Sequence, residues 1–252
     1  NSAPSCSITA PESNSADEIG TTVVFEATVA DVDVPADWLS VTWSSDKDGA
    51  LGESTADSEG SVSFLYSDLS VESHVITLTA TDEVGASCSD YIIYSVGTPP
   101  TLSIEAPVSG DVMDAGEPVT FLATVGDGED TPTDLSLSWM SDLDGEFSTQ
   151  ASDSSGAISF THSSLSMGTH SITVTVTDTD GLYASALLSL QINGLPTAPE
   201  VALTPDPATT TDDLVATLTT ASTDADGDPI TYSYAWSVDG VDMGETASTL
   251  DG

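Results

Sequence analysis

Arginine is absent from the 252 residues and lysine occurs once, at Lys47, against 42 acidic residues, giving a formal net charge of −41 at pH 7. With nothing to neutralise phosphates, nucleic acid is excluded as a partner, and anionic membrane surfaces are excluded for the same reason. No apolar run approaches the roughly 20 residues that cross a bilayer, so no membrane insertion is expected. The first residues carry no basic, apolar leader, so an exported form is expected to be a mature segment. Asn1, Asn14 and Asn193 all lack Ser or Thr two residues on, which excludes N-linked glycosylation at sequons. Nucleophile elbows, paired-histidine zinc motifs and phosphate-cradling loops are missing too, and an enzyme is not expected.

The acidity itself has a consequence. Of the 42 acids 29 are Asp, the residue of loops and turns. Repulsion among so many uncompensated charges opposes a compact state, so cations must offset it, either as a salty or calcium-rich medium or at defined sites. The chain is nonetheless expected to fold, because 38% of it is apolar and alternates with strand period. Two cysteines, Cys6 and Cys88, suggest one disulfide and an oxidising compartment, which points to the cell surface or the extracellular space.

Self-similarity organises the rest. HVITLTATDEVG (74–85) aligns with HSITVTVTDTDG (170–181) at an offset of 96. The same offset joins FEATVAD (25–31) to FLATVGD (121–127), WSSDKDG (43–49) to WMSDLDG (139–145), and GSVSF (60–64) to GAISF (156–160). Residues 1–98 and 99–194 are therefore two copies of one unit. A third copy, 195–252, carries its own tryptophan strand, TYSYAWSVDG (231–240), and stops before its last three strands. Its completion is expected either from the rest of a longer chain or from a strand given by another copy.

Each copy reads as short alternating runs broken by Gly, Asp, Ser and Pro, without a helix signal. In the first copy strands are expected near 4–10, 21–30, 38–45, 61–66, 73–81 and 87–96, with a weak one near 51–55. The inward set is Phe25, Val41, Trp43, Phe64, Leu69, Ile76 and Leu78. This predicts an all-β protein of tandem immunoglobulin-like β-sandwiches with a buried tryptophan on the third strand. The linkers GTPP (97–100) and GLPTAP (194–199) are short and proline-bearing, which favours a semi-rigid rod. Cys6 in the first strand and Cys88 after the last hairpin are expected side by side near one end, where the second copy has Leu102 and Ala184.

HVITLTATDEVG and HSITVTVTDTDG resemble the penultimate strand and last hairpin of PKD domains and of related cadherin-like repeats in large prokaryotic surface proteins. The resemblance covers the first two copies and part of the third. WSSDKDG and WMSDLDG depart from the aromatic-Asp-Phe-Gly-Asp-Gly run usual on the third PKD strand. It implies extracellular spacer, adhesion or assembly roles and no catalysis.

TDADGDP (223–229) spaces Asp224, Asp226 and Asp228 like the first ligands of an EF-hand loop. Pro229 and Ala235 stand where that loop needs Gly and Glu, so the motif is not an EF-hand. Ca²⁺ takes six to eight oxygens, more than one turn supplies. The expectation is that loops of neighbouring copies share an ion. Asp46 and Asp48 would face Asp127, Glu129 and Asp178, and Asp142 and Asp144 would face Asp224, Asp226 and Asp228. Asp31, Asp33 and Asp82 are the first copy's counterparts at its outer end. The alternative is plain turn chemistry, since Asp-x-Asp-Gly also satisfies a hairpin's backbone. His74 and His170 occupy one repeat position and are expected to pack at a strand start.

Function follows as an expectation: an extracellular structural spacer or fibre-forming surface protein, calcium-stiffened, whose partners are further copies of itself or the rest of a longer chain, and cations. The alternatives are an adhesin or carbohydrate-binding module, or a non-catalytic region of a larger secreted enzyme.

Overall fold

The computed structural model describes residues 1–252. The first domain contains eight strands: β1 (Ser5–Ala10), β2 (Ser15–Glu18), β3 (Val23–Ala30), β4 (Ser40–Ser45), β5 (Gly49–Ser54), β6 (Ser61–Tyr66), β7 (Glu72–Thr81) and β8 (Ser87–Gly97). They form a three-stranded sheet in the order β1-β3-β6 and a five-stranded sheet in the order β2-β8-β7-β4-β5. The second domain repeats this with β9 (Thr101–Ala106), β10 (Asp111–Asp114), β11 (Val119–Gly126), β12 (Ser136–Ser141), β13 (Gly145–Ser148), β14 (Ala157–His162), β15 (Gly168–Thr177) and β16 (Tyr183–Asn193). Its sheets run β14-β11-β9 and β10-β16-β15-β12-β13.

Strict alternation drives the pairing. In β3, VVFEATVA, every second residue is buried, and β11 and β15 behave alike. Period-two burial lets one face of each sheet pack while the other meets water. The first core joins Phe25, Val41, Trp43, Leu69, Ile76 and Leu78 with Ala80, Ile92 and Tyr94, and Phe64 packs against it half-buried. The second joins Phe121, Leu137, Trp139, Ile158, Ile172 and Val174. Gly60 and Gly156 close the turn before β6 and β14 with φ of +87° and +85°. A Cβ at either would lie 2.1 Å from the Val29 carbonyl oxygen or 2.0 Å from that of Val125, so no larger residue fits.

Two features escape the strand pattern in the sequence. β2 and β10 add a parallel edge, Ser15 opposite Tyr94 and Asp111 opposite Leu190, although SADE and DVMD carry no apolar alternation. Trp38 lies in a one-turn 3-10 segment (Ala36–Trp38) before β4, not in the strand, and is 70% exposed. The Cys6–Cys88 disulfide, with Cα atoms 6.0 Å apart, joins β1 of one sheet to β8 of the other and so ties the sheets together at the sandwich edge. The two strands are neighbours across the sandwich, not within one sheet.

The third unit contains β17 (Glu200–Thr204), β18 (Leu214–Thr220), β19 (Ser237–Val238), β20 (Val241–Asp242) and β21 (Thr249–Leu250). β17, β18 and β21 form one small sheet, and β19 with β20 forms a hairpin. Only Ala216 and Trp236 are buried there, and Val201, Leu203, Ala216 and Trp236 line an open apolar cleft of about 360 Å³.

Candidate functional site

The acidic loops do two distinct things in each repeat. The first occurs at the turn after the tryptophan strand. Asp46 accepts the Val75 amide at 2.7 Å, and Asp142 accepts that of Ser171 at 2.8 Å. Asp48 accepts the Ser70 amide and hydroxyl at 2.9 and 2.7 Å, and Asp144 accepts the Ser166 amide at 2.8 Å. Those backbone donors hold both carboxyls below the ordinary aspartate range. Each of these four aspartates is bonded inside its own domain.

Behind that turn lies a buried histidine. His74 and His170 are fully buried. The Nε2 atoms face the carbonyls of Ser70 and Ser166 at 2.8 and 2.7 Å. A carbonyl accepts only, so Nε2 donates to it, and Nδ1 is hydrogen-bonded to the hydroxyl of Ser45 or Ser141, at 2.8 and 2.7 Å. The same serine oxygens accept the amides of Lys47 and Asp48, or of Leu143 and Asp144. Asp48 and Asp144 stand 3.7 and 3.8 Å from Nδ1. Serine and aspartate therefore share one ring nitrogen, whereas a proton-relay triad needs them on opposite nitrogens. This cluster fastens the β4–β5 turn to β7. The sequence showed the repeated histidine, but its serine partner, 29 residues away, gave no signal.

The second use of acid lies at the other loop set, between β3 and β4, β11 and β12, and after β18. Asp31 Oδ1 accepts the amides of Asp33 and Val34. Asp127 Oδ1 accepts those of Glu129 and Asp130, and Asp224 Oδ1 those of Asp226 and Asp228. TDADGDP is thus the third instance of one loop, whose first aspartate folds the backbone into an Asx turn. The next acid then reaches the chain entering that domain. Asp33 accepts the Ser2 amide at 2.5 Å, Glu129 accepts the Thr98 amide at 3.3 Å and its hydroxyl at 2.8 Å, and Asp226 accepts the Gly194 amide. Ser2 and Thr98 lie 96 residues apart, as do Thr98 and Gly194.

The last-hairpin aspartates flank these loops. Asp82 accepts the Val84 and Ala86 amides through one oxygen and the Asn1 amide side chain through the other, at 2.6 Å. The Asn1 bond, followed by the backbone donors, holds Asp82 below its ordinary value. Asp178 accepts the amides of Asp180, Gly181 and Leu182. Gly97 stands at the repeat position of Asn1, so Asp178 has no such side-chain donor; burial raises its pKa and the neighbouring Asp127 adds to the rise. The outer oxygens of Asp31 and Asp127 are buried without a hydrogen-bond partner.

The turns expected to share an ion engage donors of the protein itself. Asp46 and Asp48 bond to β7 and its approach, and Glu129 bonds to the linker. Asp142 and Asp144 do not join Asp224, Asp226 and Asp228, of which Asp226 bonds to the linker. No group of three or more His, Cys, Asp or Glu side chains converges with metal-binding geometry. The first junction is made instead by Gly97 against Leu182 and by a cleft of about 420 Å³ between Asp17, Glu18 and Thr21 on one side and Gly181, Leu182 and Tyr183 on the other.

Fold and repeat together define a tandem array of immunoglobulin-like β-sandwich domains. Residues 102–188, within the second domain, match the PKD domain family, and the first domain repeats the same strand order and sheets. No curated protein matches the chain by sequence. Among solved structures it is similar to the fibronectin(III)-like modules of Clostridium thermocellum CbhA, at 16% identity over 75% of this chain and 95% of that one, TM-score 0.47. An I-band fragment of titin matches at 14% identity over 95% of this chain and 86% of that one, TM-score 0.46. No helix is long and apolar enough to cross a membrane.

Proposed function

We propose that the chain is an extracellular structural spacer whose domains are held in fixed succession. The observation that carries this is the repeated capture of the segment that leads into each domain: Asp33, Glu129 and Asp226 accept the amides of Ser2, Thr98 and Gly194, the last two in the linkers between domains. A charged acceptor strengthens such a bond over a neutral one. A sequence that restates the same linker contact at each repeat specifies the orientation of successive domains as well as their number. The Cys6–Cys88 disulfide supports an oxidising location.

The test is small-angle X-ray scattering of the monomer. The expected result is a distance distribution of domains in fixed succession, which broadens when Glu129→Gln and Asp226→Asn remove the charged acceptors. A wild-type distribution already matching freely jointed domains would overturn the reading.

A second element, calcium stiffening, is favoured by the buried, unpartnered outer oxygens of Asp31 and Asp127. Asp127 also raises the pKa of Asp178 beside it, behind the larger effect of burial. A cation between Asp127 and Asp178 would satisfy the Asp127 oxygen. Thermal unfolding with Ca²⁺ and then with chelator, at matched ionic strength, is expected to show a specific upward shift. Equal melting in both conditions would leave these aspartates to turn chemistry alone.

A further inference from the structure

The third unit departs from the two complete domains at its tryptophan strand. Trp236 is the counterpart of Trp43: the Nε1 of Trp43 donates to Ser54, 11 residues on, and that of Trp236 to the Ala247 carbonyl, also 11 residues on. A hairpin follows each, β4–β5 and β19–β20. The run through the tryptophan, TYSYAW (231–236), alternates with strand period. In the complete domains that run is laddered throughout to the penultimate strand, β4 to β7 and β12 to β15. In the third unit it is laddered to nothing. Residues 230–235 donate and accept no backbone hydrogen bond. Amides and carbonyls left in that way are a template for an added strand.

An apolar wall stands beside this unpaired run. The cleft of about 360 Å³ is lined by Val201, Leu203, Ala216, Tyr234 and Trp236. Val201 and Leu203 are each 50% exposed, although Leu203 stands opposite the buried Ala216 and so shares its inner face. In the complete domains the penultimate strand closes the equivalent space. Ile76, Leu78 and Ala80, or Ile172, Val174 and Val176, are fully buried in the core with the tryptophan. Leu78 stands opposite Trp43, and Val174 opposite Trp139. One interface is thus made twice in this molecule and left open once.

We propose that the third unit is an acceptor site for an extended partner segment with the penultimate-strand pattern, Ile-Thr-Leu/Val-Thr-Ala/Val, which pairs antiparallel with residues 231–236 and fills the cleft. Main-chain bonds to the open run supply affinity, and alternate side chains entering the cleft supply selectivity. The middle aliphatic faces Trp236 and the next inward one faces Tyr234, as Leu78 faces Trp43 and Ala80 faces Val41. A one-residue slip would present threonine to the cleft instead. A second copy of this chain is not the occupant. Its β7 lies between β4 and β8 and its β15 between β12 and β16, so it could lend either only by opening a complete domain. The segment therefore belongs to a partner that carries it outside a folded sandwich. Its pattern is uncharged, so the 42 acids of this chain do not oppose it. The inference goes beyond the spacer reading. The cleft contains none of the captured linker residues, and failure at either place leaves the other standing.

The probe is a peptide of residues 168–181, GTHSITVTVTDTDG, titrated into the whole chain. The expected result is saturable binding of one peptide per chain by calorimetry, with slower amide exchange at residues 230–236. Val174→Asp in the peptide sets a carboxylate against Trp236 and is expected to weaken binding at least about 10-fold. Leu203→Asp in the chain is expected to do the same from the cleft wall. Leu203 is half-exposed, and unchanged amide exchange at β18 checks that the unit stays folded. Absence of binding at millimolar peptide overturns the proposal. So does binding that both substitutions leave intact, or that slows exchange at β6 or β14 and not at residues 230–236. Protection of residues 230–236 by dimerisation without peptide would make a second copy the occupant and overturn it as well.

Discussion

The two complete domains share their strand positions, the end of β5 and β13 apart, and solve the same interior differently. In the first, the Trp43 ring stacks on Phe64 at 8° and its Nε1 donates to Ser54 at 2.9 Å. In the second, Trp139 meets Phe160 edge-on at 80°, and its Nε1 is buried without an acceptor. The cause lies next door. Phe147 packs into the second core where the first has Leu51, and β13 ends at Ser148 while β5 continues to Ser54. The first domain also holds its edge with a disulfide and bonds Tyr94 to Asp17 at 2.5 Å, where the second has Leu102, Ala184 and Leu190. Burial, then the Asp17 bond, raises the Tyr94 pKa. One pattern of inward positions thus tolerates two packings, because sandwich cores ask for volume and apolarity before particular contacts.

The disulfide offers the largest test of that comparison. Cys6→Leu with Cys88→Ala installs the second domain's pair in the first and is expected to cost about 2–5 kcal/mol, read by calorimetry as a lower first-domain transition. Leu102→Cys with Ala184→Cys should shift the second domain upward, and failure of either shift would mean that the bond adds nothing to the packing. Next comes the histidine turn. His74→Ala and His170→Ala each leave a carbonyl unpaired and strip a buried serine hydroxyl of one of its bonds, at about 1–3 kcal/mol for the orphaned carbonyl, and the two domains should respond alike. A domain that is indifferent to the loss would show that its serine finds another partner.

The tryptophans should then separate the domains. Trp43→Phe loses a hydrogen bond, whereas Trp139→Phe removes an unpaired buried donor. Denaturant unfolding is expected to find the first more costly by about 1 kcal/mol. Equal losses would place an acceptor near Trp139.

The smallest effects have opposite signs. Asp82 is held low in the folded state, so its contribution is full above the unfolded value of about 3.9 and is lost as pH falls through the lowered pKa. Asp82→Asn should therefore lower the melting temperature at pH 7. Asp178 is raised, so its ionised form burdens the fold at neutral pH, and the burden fades as pH falls through the raised value. Asp178→Asn should raise the melting temperature at pH 7 and lose that advantage in acid. Same-sign shifts at pH 7 would show that Asn1 does not distinguish the two sites.

Much of the fold was legible. Phe25, Trp43, Ile76 and Leu78 announced themselves by period-two alternation, and the 96-residue repeat carried that reading to Phe121, Trp139, Ile172 and Val174. β2 and β10 were not legible, because a four-residue parallel edge formed by SADE or DVMD has no apolar face to read. The loop acids were legible as a set and not in their roles. Asp46 and Glu129 look equivalent in the sequence, yet one serves its own β7 and the other the linker.

The sequence by itself determined the repeat, the β-sandwich class, the buried tryptophan strands and the extreme acidity, since each is a local or periodic property of the chain. Tertiary structure alone decided which donor each carboxylate meets and that Cys6 and Cys88 bridge two sheets. It also decided that residues 230–235 stand without a ladder partner. Those depend on distances closed between residues tens of positions apart, which no local pattern encodes.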